Sequence, residues 1–179
     1  MSMSEGIIDT CCLLNLCAVA PLPDWLPALG WTWHVPEAVL GETLYLRTYD
    51  ENGEPANEEV DLRLYVTQGV LADCSVEPGE ETRLYVELAR SLDDGEAMAL
   101  ACAATRGWHL ASDDRKARRT AGELGVVVTT TPELLRRWAE TTNASGEEIA
   151  AAVGRVRDLA RFVPSEGFPM YDWWVQHLG

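Results

Sequence analysis

The sequence predicts an α/β fold, with a mostly parallel central sheet flanked by helices. Short apolar runs alternate with helical patterns along the chain, which is the signal of successive βαβ units. Several runs end near an acidic residue, where open α/β sheets gather their ligands. No internal repeat or low-complexity tract breaks the alternation. At 179 residues, 47% hydrophobic and 24% charged, the chain has the composition of one soluble globular domain over 1–179. A chain of that length buries roughly two thirds of its unfolded surface, so folding requires neither disulfides nor metals.

Gly6 to Asp9 (GIID) reads as a short buried strand ending in an acid, and Thr10 to Val19 spaces Leu13, Leu14, Leu16 and Cys17 as a helix. Trp31 to Val35 is a second strand. Pro36 suits the first turn of a helix over PEAVLGETLYL, because its missing N–H costs nothing there. Leu62 to Val66 (LRLYV) alternates as a strand and is paired here with Leu44 to Thr48, making residues 48–67 an inserted acidic loop or hairpin. Val70 to Val76 holds another short strand.

Glu80 to Arg90 and Asp93 to Arg106 are helical, the second rich in Ala and suited to close packing on a sheet. Trp108 to Ser112 is a strand, Asp113 to Leu124 a helix closed by Gly125, and Val126 to Thr129 the last β-branched strand. Helices at Pro132 to Thr141 and Glu147 to Phe162 follow. Tyr171 to Leu178 is a short helix capped by Asp172 or the preceding turn, and residues 143–179 form a C-terminal helical extension.

Charge narrows the function. There are 14 basic and 29 acidic residues, a net −15, and only 5 of the basic residues lie before position 113. A phosphate backbone is held mainly by Lys and Arg, so this balance disfavours passive adhesion to nucleic acid or anionic lipid. A polyanionic substrate would need divalent cations. The densest acidic stretch, Asp50 to Asp61 (DENGEPANEEVD), contains turn formers and reads as a solvated loop. Five cysteines without a CxxC pair argue against a disulfide scaffold and a zinc ribbon, and His34, His109 and His177 lack metal spacing. MSMSEGIID has no basic stretch or apolar core of a secretory signal, and no apolar run is long enough to span a bilayer. The expectation is a cytoplasmic protein without a membrane partner.

The chemistry must come from acids at element ends. Asp9 follows GII, Asp113 and Asp114 follow WHLAS, Glu96 begins the helix after DDG, and Glu42 lies in the helix after the second strand. Each has a simpler role as well: Asp9 as a helix N-cap, Asp93 and Glu96 as a capping box, Asp113 as the cap of a helix beginning at Asp114, and Glu42 as a surface helix residue.

Together, GIIDTCCLLNL, VPEAVLGETL and DDGEAMALACAATRGWHLASDDRKARRTAGELGV resemble, in order and type, a PIN domain of the prokaryotic, toxin-like branch of toxin–antitoxin systems. The resemblance implies a PIN-like three-layer fold and a metal-dependent endoribonuclease. It implies Asp9, Glu42, Glu96 and Asp114 as catalytic acids, with Asp9, Glu96, Asp113 and Asp114 as ligands of Mg²⁺ or Mn²⁺. Ser112 falls at the family's Thr/Ser position and Asp113 at its Asn/Asp position. Arg115, Lys116 and Arg119 become substrate-binding residues, and Thr10, Asn15 and Arg118 structural neighbours of the site. The partners implied are an RNA substrate, an antitoxin protein and a second copy of the chain.

Oxygen-only carboxylate sites suit such hard cations, which lower the pKa of bound water and orient it toward a phosphodiester. Arg136 and Arg137, and Arg155, Arg157 and Arg161, form further basic clusters, read either as solvated faces paired with acids or as an RNA rim. Trp173 and Trp174 are read as sealing a core or a partner interface ahead of stacking on bases. A nucleophilic Cys11 or Cys12 lacks a suitably placed histidine. The alternative function is a catalytically inactive PIN-like module that binds protein or RNA.

Overall fold

The computed structural model describes residues 4–178; residues 1–3 and 179, part of the expected 1–179 span, lie outside them. The strands are β1 (Ser4–Ile8), β2 (Trp31–Pro36), β3 (Leu44–Tyr49), β4 (Pro55–Val60), β5 (Ala72–Cys74), β6 (His109–Ala111) and β7 (Val128–Thr129). The helices are α1 (Thr10–Val19), α2 (Leu22–Trp25), α3 (Glu37–Leu40), α4 (Leu62–Thr67), α5 (Glu80–Leu88), α6 (Asp94–Arg106), α7 (Arg115–Glu123), α8 (Thr131–Thr142), α9 (Gly146–Arg155) and α10 (Tyr171–His177). These elements fall into two compact units. One comprises the chain up to Leu13, Gly30–Glu42 and Leu62–Thr130; the other comprises Leu14–Leu29, Thr43–Asp61 and the chain from Thr131 on.

The first unit is built on a five-stranded sheet of order β5-β2-β1-β6-β7, with every neighbouring pair parallel. The chain winds outward from β1 through β2 to β5, then returns to the other side of β1 for β6 and β7. The strand order therefore reverses between β1 and β6, and a ligand crevice is expected at their carboxyl ends. The second half of β1 carries no polar side chain because it is enclosed: Gly6, Ile7 and Ile8 are all buried, while Ser4 and Glu5 at its start are not. Gly6 is required by close approach, since a Cβ there would stand 2.5 Å from the Trp33 ring. Against the sheet lies α6, whose small residues Gly95, Ala97, Ala99, Ala101 and Ala103 are buried. Its ends are fixed by Asp93, which accepts from the Glu96 N–H at 2.8 Å, and by Gly107 in the left-handed conformation.

The second unit is helical apart from an antiparallel hairpin, β3 with β4, in register from Leu44 opposite Val60 to Tyr49 opposite Pro55. Its buried side chains include Leu16, Leu22, Leu26, Leu29, Leu134, Val153 and Val156. Trp174 is fully buried and meets Phe162 edge-on at 5.6 Å, so of the tryptophan pair it is this one that seals a core. Arg137 donates to the Leu29 carbonyl and Arg155 to that of Val19, binding long helices to short ones.

Several expectations fail locally. Leu62 to Val66 is not a strand but lies in α4, and β3 pairs with Pro55–Val60, within the acidic stretch itself. The turn that decides this is Asp50 to Glu54: the Asp50 carboxylate accepts from the Asn52 and Glu54 amides at 2.8 and 2.9 Å, and Gly53 takes φ +79°. The helix after β2 stops at Leu40, one turn long. Gly41 is its C-cap, Pro36 precedes it as the N-cap, and Leu44 onward enters the hairpin. Asp114, not Asp113, caps α7. Asp172 does not cap α10; the preceding Met170 turns the chain with φ +60°. The helix expected to run to Phe162 ends in a π-helical turn, Val156–Ala160, with Arg161 left-handed. Among the described residues no single helix is long and apolar enough to cross a membrane.

Gly6→Ala is expected to destabilise the protein by about 1–3 kcal/mol through overpacking against Trp33. Gly122→Ala, on α7 with nothing within 4 Å of the new Cβ, should stabilise by roughly 0.5–1 kcal/mol. Urea unfolding of the two variants beside wild type measures both.

Candidate active site

Asp9 directly follows β1, at the strand reversal, and is completely buried. Its N–H continues the β1–β6 ladder by donating to the Ala111 carbonyl at 3.1 Å, which fixes the residue at the strand end. Oδ1 accepts from the Cys12 N–H at 2.8 Å, the N-cap role expected of it. Oδ2 is buried with no hydrogen-bond partner. Desolvation is the dominant influence on this carboxyl, and it pushes the pKa up to about 8. The Ser112 hydroxyl and the Cys12 amide oppose that rise, while the nearby charges of Asp113 and Glu96 reinforce it.

On the far side of the strand reversal, β6 delivers Ser112, Asp113 and Asp114. Ser112 is fully buried; its hydroxyl bonds the Asp9 carboxyl and also accepts from the Asp114 N–H at 3.2 Å. Asp114 Oδ1 accepts from the Lys116 and Ala117 amides at 2.7 and 2.8 Å, so it starts α7. Asp113 is half-buried between them.

Glu96 stands in the first turn of α6, half-buried. Desolvation first, then the charges of Asp93 and Asp114, push it up to about 7, with Lys116 opposing. Glu42 lies just beyond the end of α3 and accepts from the Thr10 hydroxyl at 3.1 Å. It is raised chiefly by desolvation, with Asp93 and Asp94 adding to that and Thr10 opposing it. A Cβ on Gly95 would stand 2.8 Å from Thr10 Oγ1, 2.9 Å from Val39 Cγ2 and 3.4 Å from Glu42 Oε1. The bare glycine thus lets α6 approach Thr10 and Glu42.

The structure therefore joins Asp9, Ser112, Asp113, Asp114 and Glu96 through hydrogen bonds and mutual repulsion, and links Thr10, Glu42 and Asp93 to them. Two contributors are not predicted from the sequence: Asp93, expected only as a cap, is the first charge acting on both Glu96 and Glu42, and Gly95, whose place inside a helix start is the available signal, admits Thr10 and Glu42.

Of the expected substrate-binding residues, Arg115, Lys116 and Arg119 line a cleft of about 590 Å³ together with Asp114. Lys116 also donates to the Ser91 carbonyl, and Arg119 lies 3.7 Å from Glu123 one turn on. Arg118 is half-buried on α7. Asn15 is buried and donates to Thr131 Oγ1 at 3.4 Å, an anchor between helices of the second unit. The clusters farther along are partly spent on acids, Arg136 on Glu140 at 2.8 Å and Arg157 on Asp158 at 2.7 Å. Desolvation and then Asp9, Glu96, Asp93 and Asp113 push the Cys11 thiol up to about 12, which makes it a poor nucleophile at neutral pH.

Among the described residues, no three His, Cys, Asp or Glu side chains stand close enough to hold an ion as they are arranged. The fit to a hard divalent cation is one of chemistry: oxygen donors only, and a buried carboxylate oxygen of Asp9 without a partner. A family model described as a PIN domain matches residues 5–166. No curated protein matches the chain.

Two outcomes follow from this geometry. Asp9 and Glu96 bind protons more tightly when folded than their ordinary values of 3.8 and 4.5, so folding stability in EDTA should fall as pH rises from about 4 to about 8. Asp9→Asn should remove most of that slope, matching wild type near pH 4 and melting above it near pH 8; thermal melts across pH measure it. Gly95→Ala should destabilise by about 1–3 kcal/mol, because Val39 and Thr10 must give way. Denaturant unfolding measures that cost.

Proposed function

The chain belongs to the PIN domain family, a family of nuclease fold, and on that premise we propose that it is a metal-dependent endoribonuclease cutting single-stranded RNA. The observation that carries the proposal is Asp9: an acid with a partnerless oxygen, buried at the strand reversal, with Glu96 and Asp113 acting on it. Burying a carboxylate with one oxygen unpaired is costly, and a cation is the partner that would repay it. Asp9, Glu96, Asp113 and Asp114 are the residues that would hold Mg²⁺ or Mn²⁺. When bound, such an ion supplies a water nucleophile at neutral pH and offsets charge on the phosphate.

The protein's own groups prepare that chemistry. Ser112 ties Asp9 to the start of α7, so the two strand ends are held in one register. Asp93 raises the proton affinity of both Glu96 and Glu42, and Glu96, pushed up to about 7, can hold or release a proton near neutrality. Thr10 orients Glu42. Arg115, Lys116 and Arg119 give a polyanion a local positive approach beside Asp114, in a molecule whose overall charge of −15 repels it. That repulsion is screened beyond about 8 Å at physiological salt, so the short-range cations govern docking.

Mg²⁺ or Mn²⁺ should support cleavage of a labelled single-stranded RNA, and EDTA should abolish it. Asp9→Asn and Glu96→Gln should fall to the EDTA level while keeping their circular dichroism. Binding of RNA without cleavage, or equal cleavage in EDTA, overturns the proposal. Arg119→Ala should weaken RNA binding across sequences and reduce its salt slope by about one. A toxin role belongs to the same proposal: expression of wild type, but not Asp9→Asn, should arrest host growth.

A further inference from the structure

Cys74 closes β5, and Cys102 lies on α6, 28 residues later; both are buried. Their Sγ atoms are 3.5 Å apart. Arg106, one turn beyond Cys102, donates from Nη1 to Cys74 Sγ at 3.3 Å. That guanidinium cannot drift: it donates to the Glu81 carboxylate from Nε at 2.9 Å and Nη2 at 2.7 Å, and to the Ser75 carbonyl at 2.8 Å. The Trp108 ring lies 4.9 Å from it. A cation fixed against one sulfur of a touching pair makes the two thiols unequal. Cys74 is the sulfur favoured as thiolate, with the Cys102 S–H and Arg106 both lowering its pKa, whereas Cys102 is held high. The carboxylate chemistry proposed above uses neither sulfur.

We propose that Cys74 and Cys102 form a peroxide-reactive dithiol that closes to a disulfide between β5 and α6. The oxidant is hydrogen peroxide. The Cys74 thiolate attacks one peroxide oxygen; an S–O bond forms, the O–O bond breaks, and the second oxygen leaves as hydroxide and takes a proton to become water. Cys74 is then a sulfenic acid. Cys102 gives up its proton and attacks the Cys74 sulfur; the S–S bond forms, the S–O bond breaks, and a second water leaves. Two thiols lose two electrons and one peroxide becomes two waters. The sulfurs must close from 3.5 Å to about 2 Å, a small movement at the helix–strand contact. The resulting covalent loop encloses α5 and the start of α6, including Asp93 and Glu96.

The full chain provides the test, because trypsin places the two cysteines on separate peptides, residues 64–83 and 91–106, and the other three cysteines on neither. Treatment with hydrogen peroxide, alkylation and non-reducing mass mapping should show these two peptides joined, with the link lost on reduction. In Cys102→Ser, dimedone should label Cys74; in Cys74→Ser it should leave Cys102 unlabelled. Arg106→Gln should slow the labelling of Cys74 by about tenfold, with Arg106→Lys recovering part of the rate. Both cysteines alkylated as freely after peroxide as before, or equal labelling in the two serine variants, would overturn the proposal.

Discussion

The arrangement of the first unit turns on the burial of a single carboxyl at the centre of a parallel sheet. β1 has a strand on each side and cover on each face, so the chain leaves it at the most enclosed point of the sheet. Asp9 stands there. Oδ1 accepts from the Cys12 N–H at the start of α1, the Ser112 hydroxyl favours the charged form of the carboxyl, and Oδ2 is left without a partner. The ladder bond from the Asp9 N–H to Ala111 and the bond from the Ser112 N–H to Thr129 show how the same sheet that buries the acid also fixes what surrounds it. Function and stability oppose each other at this residue. A buried acid that keeps its proton up to about pH 8 costs the native state more as pH rises, and natural sequences tolerate such costs mainly at sites of chemistry.

The two aspartates at the neighbouring strand ends illustrate a division of labour. Asp114 spends Oδ1 on two amides of α7, a stabilising N-cap. Asp9 also caps a helix but does so inside the protein, where desolvation outweighs the hydrogen bonds. Glu96 and Glu42 owe their raised pKa values first to desolvation and then to acids of the Asp93–Asp94 turn and, for Glu96, Asp114. Gly95 makes that concentration of charge sterically possible by letting α6 come within reach of Thr10 and Glu42.

Where a feature depends on local chemistry and continuous burial, it was legible in the sequence. GIID, the Ala-rich helix and WHLAS gave the parallel sheet and its acidic exits without any long-range information, because a buried strand needs an apolar run and a tightly packed helix needs small residues. The hairpin was not legible. Its second strand, PANEEV, is almost entirely exposed and carries no hydrophobic alternation, so only the Asp50–Gly53 turn betrayed it, while LRLYV satisfies strand and helix periods equally. The acids of the site are legible as residues, but the raised proton affinities of Asp9 and Glu96 are not, because burial in the fold sets them. Cys74 and Cys102 are far apart in sequence and meet only through the packing of α6 on the unit's core.

On the proposed function, a proton and a divalent cation would compete for the same oxygen at Asp9. With the acid's pKa pushed up to about 8, most of the metal-free protein carries that proton at neutral pH, and a cation must displace it to bind. The same low-dielectric surroundings that hold the proton would strengthen the attraction to a divalent charge, which would act on Asp9, Glu96, Asp113 and Asp114 at once, whereas a proton neutralises only one of them. A cation placed among these acids would turn the charges that raise the proton affinities of Asp9 and Glu96 into attraction for it. An acid cluster that is not gathered into a cage would bind a cation only where the binding energy exceeds the cost of drawing its members together.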